Sequence, residues 1–293
     1  MRAINFLTAV LCVSLLTACA QQQDIPQPDF FPGNTSKNAM ATTNDDPVSL
    51  TFDEVIDVEI YALLEGPYRY GERLMRTDLN IERGLLPGQV LIGLGQATPA
   101  GHPYAEAPWY FQEEIESAAF TSYPPDVVDW VLVSFRTGIT SDTEIAKTAA
   151  YLHSDGRITF PNLENIRAIA EEEAVYIVVE HRNHMGAMSH EPVEVVEGTI
   201  VYDFRARDSY RISTSYGQKQ MPSGDWVMFA GDVNQETDDF SYDINAYDKV
   251  PWVEDNGVFG YYKNADLNLD GDVSMQDKSL WADNNGKLSA VPK

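Results

Sequence analysis

The sequence predicts a mainly β fold, a β-sandwich-like domain over residues 51–228 followed by a small repeat segment over 229–293. Three observations carry this expectation. Short stretches alternate apolar and polar residues with a period of two, the spacing that buries one face of a strand. Gly, Pro and Asp punctuate those stretches at the intervals of an all-β chain. A seven-residue phrase, Asp243-Ile244-Asn245-Ala246-Tyr247-Asp248-Lys249, is echoed by Asp272-Val273-Ser274-Met275-Gln276-Asp277-Lys278, each followed three residues later by Trp252 or Trp281.

The elements follow in order. Met1-Arg2, the apolar run Ala3 to Leu16 and the closing Leu16-Thr17-Ala18-Cys19 have the form of a secretory leader over residues 1–18. The Cys at its end resembles the bacterial lipoprotein signal, which implies lipidation of Cys19 and, with Ala rather than Asp at 20, sorting to the outer membrane. Acyl chains contribute about 0.8 kcal/mol per buried CH₂, and two or more of them make a stable anchor. Residues 19–50 are rich in Gln, Asn, Thr and Pro, the composition of a flexible tether. Val58, Ile60, Ala62 and Leu64 then alternate with Asp57, Glu59 and Tyr61, and Ile200, Tyr202 and Phe204 with Thr199, Val201 and Asp203, as half-buried strands do. Val127 to Phe135 and Val175 to Val179 are more continuously apolar and read as central strands, with a shorter one at Val193 to Val196. Helices are expected at Tyr110 to Phe120 and Asn162 to Glu173, the second with Leu163, Ile166, Ile169 and Ala170 on one face. Trp226-Val227-Met228-Phe229 leads into the repeat segment and is expected to pack it against the sandwich.

Each copy of the repeated phrase follows a run of oxygen-bearing residues. An EF-hand loop gives calcium six to eight oxygens from positions 1, 3, 5, 7, 9 and 12 and places Gly at 6. Counting from Asp266 puts Asn268 at 3, Asp270 at 5, Gly271 at 6, Asp272 at 7, Ser274 at 9 and Asp277 at 12, so every position fits. In the first copy a plain count from Asp232 ends at Asp243, with Asn234 at 3 and Glu236 at 5. Alignment on the repeat instead makes Asp248 the twelfth position, Asn245 the ninth, and leaves an expanded loop with the excess in Gln235 to Tyr242. Asp232, Asn234 and Asp248 are the firmer ligands there, and Glu236, Asp238 or Asp239 compete for the fifth position. The cofactor expected is calcium.

Asp rather than Glu at position 12, followed by Lys and an apolar stretch, resembles the dockerin type of calcium repeat. Upstream, Leu64-Glu65-Gly66-Pro67-Tyr68, Asp129-Trp130-Val131-Leu132-Val133, Glu180-His181-Arg182-Asn183-His184-Met185-Gly186-Ala187-Met188 and the ending Asn284-Asn285-Gly286-Lys287 resemble a family of secreted bacterial proteins. Its members are common in Bacteroidetes, are often labelled hemagglutinin or dockerin-type, and follow the upstream module with a GDVN calcium segment. The resemblance covers about residues 55 to 293 and implies a secreted or surface accessory module. Dockerins dock through two helices onto a cohesin. Here the stretches after Asp248 and Asp277 are short and interrupted by Pro251 and by Asn284-Asn285-Gly286, which favours an intramolecular role.

Composition narrows the function. The chain has 293 residues, 44% apolar, and a formal charge of −25, which argues against nucleic acid as a partner because phosphate binding wants a basic stripe. Its two cysteines, Cys12 and Cys19, fall in the leader and at its end, so no disulfide is expected in the mature chain. His181 and His184 with Glu180 suggest a metal site, but residues three apart on a strand face opposite ways; a turn after Glu180 would bring them together, and a structural turn held by His and Asn side chains is the reading preferred to a zinc site. The acids Glu113-Glu114 and Glu171 to Glu173 read as solvated faces rather than a glycosidase pair. No nucleophile elbow, phosphate loop or dinucleotide fingerprint is present. The leading functional reading is therefore a lipid-anchored surface protein of adhesion or extracellular assembly, its partner an unknown surface protein or glycan. The alternative is a glycan-binding accessory lipoprotein using Trp109 and Tyr110 beside Pro108, and a polysaccharide-acting enzyme comes third.

Overall fold

A computed structural model describes residues 56–90, 98, 101–113, 122–212, 215–234 and 243–292. Cys19, the leader and the tether lie outside the described residues, as do Glu236, Asp238 and Asp239. Phe52–Lys293 gathers into one compact unit, and the described part is mainly β, as its sequence pattern predicts.

The strands are β1 (Asp57–Tyr61), β2 (Tyr68–Arg69), β3 (Leu74–Met75), β4 (Val127–Arg136), β5 (Glu144–His153), β6 (Arg157–Thr159), β7 (Ala174–His181), β8 (His184–Met188), β9 (Val193–Glu194), β10 (Thr199–Asp203), β11 (Lys219–Gln220) and β12 (Trp226–Val227). Eight of them form one curled sheet in the order β10-β1-β6-β5-β4-β7-β8, with β9 also pairing β7; β2-β3 and β11-β12 are separate two-stranded ribbons. All pairs in the large sheet are antiparallel except β1 with β10.

β4 is the centre of this arrangement. Every one of its residues is buried, which is why its sequence is largely apolar rather than alternating, with Asp129, Ser134 and Arg136 as its polar members. Trp130 packs edge-on against Tyr151 at 4.5 Å and donates from Nε1 to the Tyr123 hydroxyl at 3.0 Å. The Tyr104 hydroxyl donates to the Trp130 carbonyl at 2.8 Å. These polar tips are satisfied inside the core, as buried aromatics require.

Helical structure departs from expectation in two places. Glu164–Glu171 is a 3-10 helix, and its buried residues Ile166 and Ile169 stand three apart, the period of that helix; Leu163 remains exposed. Tyr110 to Glu113 is not helical, and Tyr110 takes a positive φ of 46°; the remainder of that expected helix lies outside the described residues. Among the described residues the α-helices are α1 (Lys249–Asp255) and α2 (Met275–Asn284), each beginning within its copy of the repeated phrase. Among the described residues no helix is long and apolar enough to cross a membrane.

Residues 226–230 do seat the repeat segment on the sheet. Met228 bridges Leu64, Met185 N–H donates to the Phe229 carbonyl, and Ala230 bridges His184. The sheet and the repeats thus share a continuous backbone-bonded seam.

Candidate functional site

The second loop is organised by two buried acids. Asp277 Oδ1 accepts the amides of Leu267 and Asn268 at 2.8 and 3.1 Å, and Oδ2 accepts the amide and hydroxyl of Ser274 at 2.7 and 3.1 Å. With Ser274 as N-cap and Asp277 at N3, this is also the capping box that starts α2. Asp266 Oδ1 and Oδ2 accept the amides of Asp270 and Gly271 at 3.2 and 2.8 Å. Gly271 has φ +85°, and a Cβ there would come within 3.1 Å of Leu85 and Arg83, so turn and packing both require glycine. The Asn268 side chain bridges Asp270 and Gln276, and Asp272 is held by Arg83 at 2.8 Å while Arg76 stands 3.6 Å from Asp270.

The first loop repeats this construction. Asp248 Oδ1 accepts the amides of Val233 and Asn234, both at 2.8 Å, and Oδ2 accepts that of Asn245 at 2.7 Å. Those three donors are the counterparts of Leu267, Asn268 and Ser274. The alignment that makes Asp248 the twelfth position is therefore the one the backbone obeys, and the plain count ending at Asp243 is not. Correspondence continues past the helices: Gly257 and Gly286 donate to the carbonyls of Val273 and Ile244, each loop's apolar eighth position.

The two copies clasp each other reciprocally. Trp252, on α1, donates from Nε1 to the Ser274 carbonyl of the second loop at 2.6 Å, and Trp281, on α2, donates to the Asn245 carbonyl of the first at 2.9 Å. Lys249 lies over the Trp281 ring and Lys278 over the Trp252 ring. Each loop is thus closed by the helix that leaves the other.

A hard cation is the group this donor set suits, because every candidate ligand atom is oxygen. Burial pushes the Asp266 carboxyl up to about 8; Arg182 opposes the rise, and Asp277 and Asp270 add to it. Burial raises Asp277 and Asp248 as well, against the pull of their amide donors. Charged acids held this close gain from a cation. Among the described residues, no three His, Cys, Asp or Glu side chains converge on one point as a metal site. The carboxylates are turned onto loop amides: Asp277 uses about all four of its acceptor positions this way, whereas Asp266 uses two. Asp266, Asn268, Asp270 and the main chain at Asp272 are the groups with capacity to spare. Asp232 is fully buried at the matching place in the first loop.

The loops are bolted to the sheet by residues that no metal pattern singles out. A turn at Arg182-Asn183 brings His181 and His184 opposite each other across β7 and β8, with ring centroids 5.0 Å apart. His184 Nδ1 lies 2.7 Å from Asn183 Oδ1, so His and Asn side chains hold this turn. Both are fully buried, and burial keeps both below the usual histidine range, His184 well below it. Asp129 Oδ2 accepts from Arg182 Nε at 2.9 Å and lies 3.3 Å from His181 Nε2; Oδ1 accepts the Tyr262 hydroxyl at 2.5 Å. Burial alone would raise Asp129; Arg182, His181 and Tyr262 outweigh it and hold its carboxyl at about 2. Arg182 stacks on Tyr262 and donates to the Lys263 carbonyl, and Asn183 donates to the carbonyls of Asn264 and Asp266 at 2.9 and 2.7 Å. Glu65 accepts from Asn284 of α2, from the Ala230 amide and from Lys219. A Cβ on Gly66 would stand 1.8 Å from the Leu267 carbonyl, so only glycine allows this approach.

Other candidates disperse. Glu113 is tied to Thr148 and Asn165, and Trp109 is half-buried, its ring edge-on to Tyr104 at 4.9 Å; Tyr110 is 66% exposed.

Comparison with known proteins adds little. No family model matches the chain, and no curated protein matches it. Two solved structures resemble part of it, an N-terminal and a C-terminal interface mutant of a type II cohesin-X-dockerin complex from Acetivibrio cellulolyticus. Each match covers 54% of this chain and 82% of the other, with 19% and 18% identity and a TM-score of 0.33, too slight a likeness to assign fold or partner.

Proposed function

We propose that the chain is a lipid-anchored surface protein of adhesion or extracellular assembly whose C-terminal repeats are a calcium clamp closing on the sheet. The observation that carries the clamp is the duplicated clasp: Asp248 and Asp277 gather equivalent amides in two loops that the sequence alone marks as calcium-type. Calcium bound at Asp266, Asn268 and Asp270 would supply charge neutralisation to buried acids, with no chemistry beyond that. At a dissociation constant near 10⁻⁵ M and about 1 mM external calcium, occupancy of one site contributes about 2.7 kcal/mol.

Calcium titration of the chain from Gln21 onward, by calorimetry with parallel melting in EDTA, tests the clamp. Two ions with a large rise in melting temperature support both loops, one ion leaves the Asp266 loop alone, and none overturns it. The anchor is tested separately by Cys19→Ser, which should move the protein from the membrane fraction to the soluble one.

Glycan binding is the second reading, favoured by the exposure and positive φ of Tyr110. A glycan array on which Tyr110→Ala and wild type behave alike would remove it.

A further inference from the structure

The curled sheet stops short of closing. β9 continues the β7 side, β10 ends the β1 side, and the Glu197-Gly198 turn joins them through one backbone bridge, Val196 with Thr199. Beyond that bridge the two strands part around a groove of about 720 Å³ lined by Glu194, Val196, Glu197, Val201 and Arg207 among others.

β10 presents an open edge to this groove. In its parallel ladder the Asp57 amide bonds to the Gly198 carbonyl and the Phe204 amide to the Tyr61 carbonyl, so the even-numbered residues of β10 face β1. The N–H and C=O of Val201 then point the other way, while those of Thr199 are taken by Val196. Among the described residues no strand pairs with that edge of β10 beyond the Val196 bridge.

Three features suit the groove to an added strand. Val196 and Val201 are 59% and 55% exposed, an apolar lining beside an open ladder. Glu194 and Glu197 are exposed and make no ion pair among the described residues, whereas Glu191 is paired with Arg207 at 3.0 Å. Glu197 has φ +50° and Gly198 φ +75°, a two-residue hairpin turn whose first position favours Asn, Asp or Gly. A glutamate held in that conformation is strained, and strain of this kind concentrates where a side chain has work at a binding site.

We propose that this groove accepts an extended segment of a partner protein, with Lys or Arg alternating with apolar residues, as a strand added beside β10. Backbone bonds to the Val201 edge give affinity, and the side chains meeting Val196, Glu194 and Glu197 give selectivity. The chain's charge of −25 steers such a segment toward it. The inference deepens the assembly reading and rests on it, yet the two fail separately: calcium titration reads the C-terminal loops, and peptide titration reads the groove.

The test is fluorescence polarisation of the full chain in detergent with 1 mM calcium (about the external level) against a labelled peptide alternating Lys and Val. Its Glu-Val counterpart and a version N-methylated on alternate amides serve as comparisons. The lysine peptide should bind at least about tenfold more tightly than either. Glu197→Asn should raise or preserve the melting temperature while weakening the peptide, because Asn is easier in that turn but carries no charge. Val201→Pro should abolish binding with little change in melting, since the lost amide faces the groove. No binding of the lysine peptide, equal binding of the three peptides, or binding indifferent to Glu197→Asn would overturn the proposal and leave the glutamates as edge protection only.

Discussion

The two repeat loops share one clasp but not one setting. The second loop is set into the sheet: Asn183 holds the Asp266 carbonyl, Gly66 lies against Leu267, and Arg182 reaches from the β7-β8 turn to Lys263. Among the described residues the first loop meets the sheet at Gly231, whose amide donates to the Asn183 carbonyl, and through Ile244, which packs with Met185, and it is closed by Trp281 from the second copy's helix. Duplication gave both loops the same three amide bonds to Asp248 or Asp277, and the surroundings made them unequal. The second loop leans on the protein, and the first leans on the second.

The largest test of that inequality is Arg182→Ala. It leaves Asp129 buried beside a lost cation and should cost about 3 to 5 kcal/mol in chemical denaturation. Hydrogen exchange should speed at Leu267 and Asn268 before Val233 and Asn234; equal acceleration would mean that the loops are anchored alike.

Next comes the pair of clasp acids. Asp277→Ala strips the acceptor from three amides, two of them in buried residues, for roughly 3 kcal/mol at about 1 kcal/mol each. Asp248→Ala strips three amides of which only Val233 is in a buried residue, and should cost less. A reversed order in melts of the two variants would refute the hierarchy.

Acid should act on the joint beneath the second loop. The histidines at 181 and 184 have folded values below their ordinary 6.5, so the stability they contribute is present above pH 6.5 and is lost as pH falls through those values. Asp129, held at about 2 against an ordinary 3.8, loses its contribution between those two pH values. Asp266, pushed up to about 8, contributes with the opposite sign between about 8 and 3.8, so the histidine step between pH 7.5 and pH 5 is read from urea midpoints at constant calcium as the difference from a His181→Gln variant, and midpoints should fall toward pH 3. His181→Gln should flatten the first step; an unchanged slope would show that the turn histidines do not titrate on unfolding.

The smallest effects test reciprocity. Trp281→Phe and Trp252→Phe each remove one hydrogen bond, about 1 kcal/mol, and the loss should register in the opposite loop. Trp281→Phe should weaken calcium at the first loop roughly fivefold, and Trp252→Phe at the second. Each variant weakening its own loop instead would break the clasp.

Much of this was legible before any coordinates. The largely apolar run of β4 announced a strand buried on both faces, and the duplicated phrase led to Asp248 even though an uninterrupted count pointed to Asp243. β5, β6 and β8 were missed: Glu144 to His153 is polar at its start and Ala-rich later, so burial by neighbours, not its own pattern, makes it a strand. Period-two reasoning set the histidines on opposite faces of one strand, whereas the alternative of a turn held by His and Asn side chains is what Arg182-Asn183 forms between two strands. Motif reading found the loop acids through spacing; Arg182, Asp129, Glu65 and Gly66 carry no spacing signal, since their partners lie far away in sequence.

The sequence by itself determined the β-rich composition of the fold and the register of the repeat, because strand periods and a repeated phrase are local and are written in neighbouring residues. Only the tertiary structure decided that the four islands at Leu64 to Tyr68, Asp129 to Val133, Glu180 to Met188 and Asn284 to Lys287 lie around one joint beneath the loops. It also decided that the sheet is left open beside β10. Both depend on contacts between residues that the chain keeps far apart, whose cost in entropy is met only when the whole core closes at once.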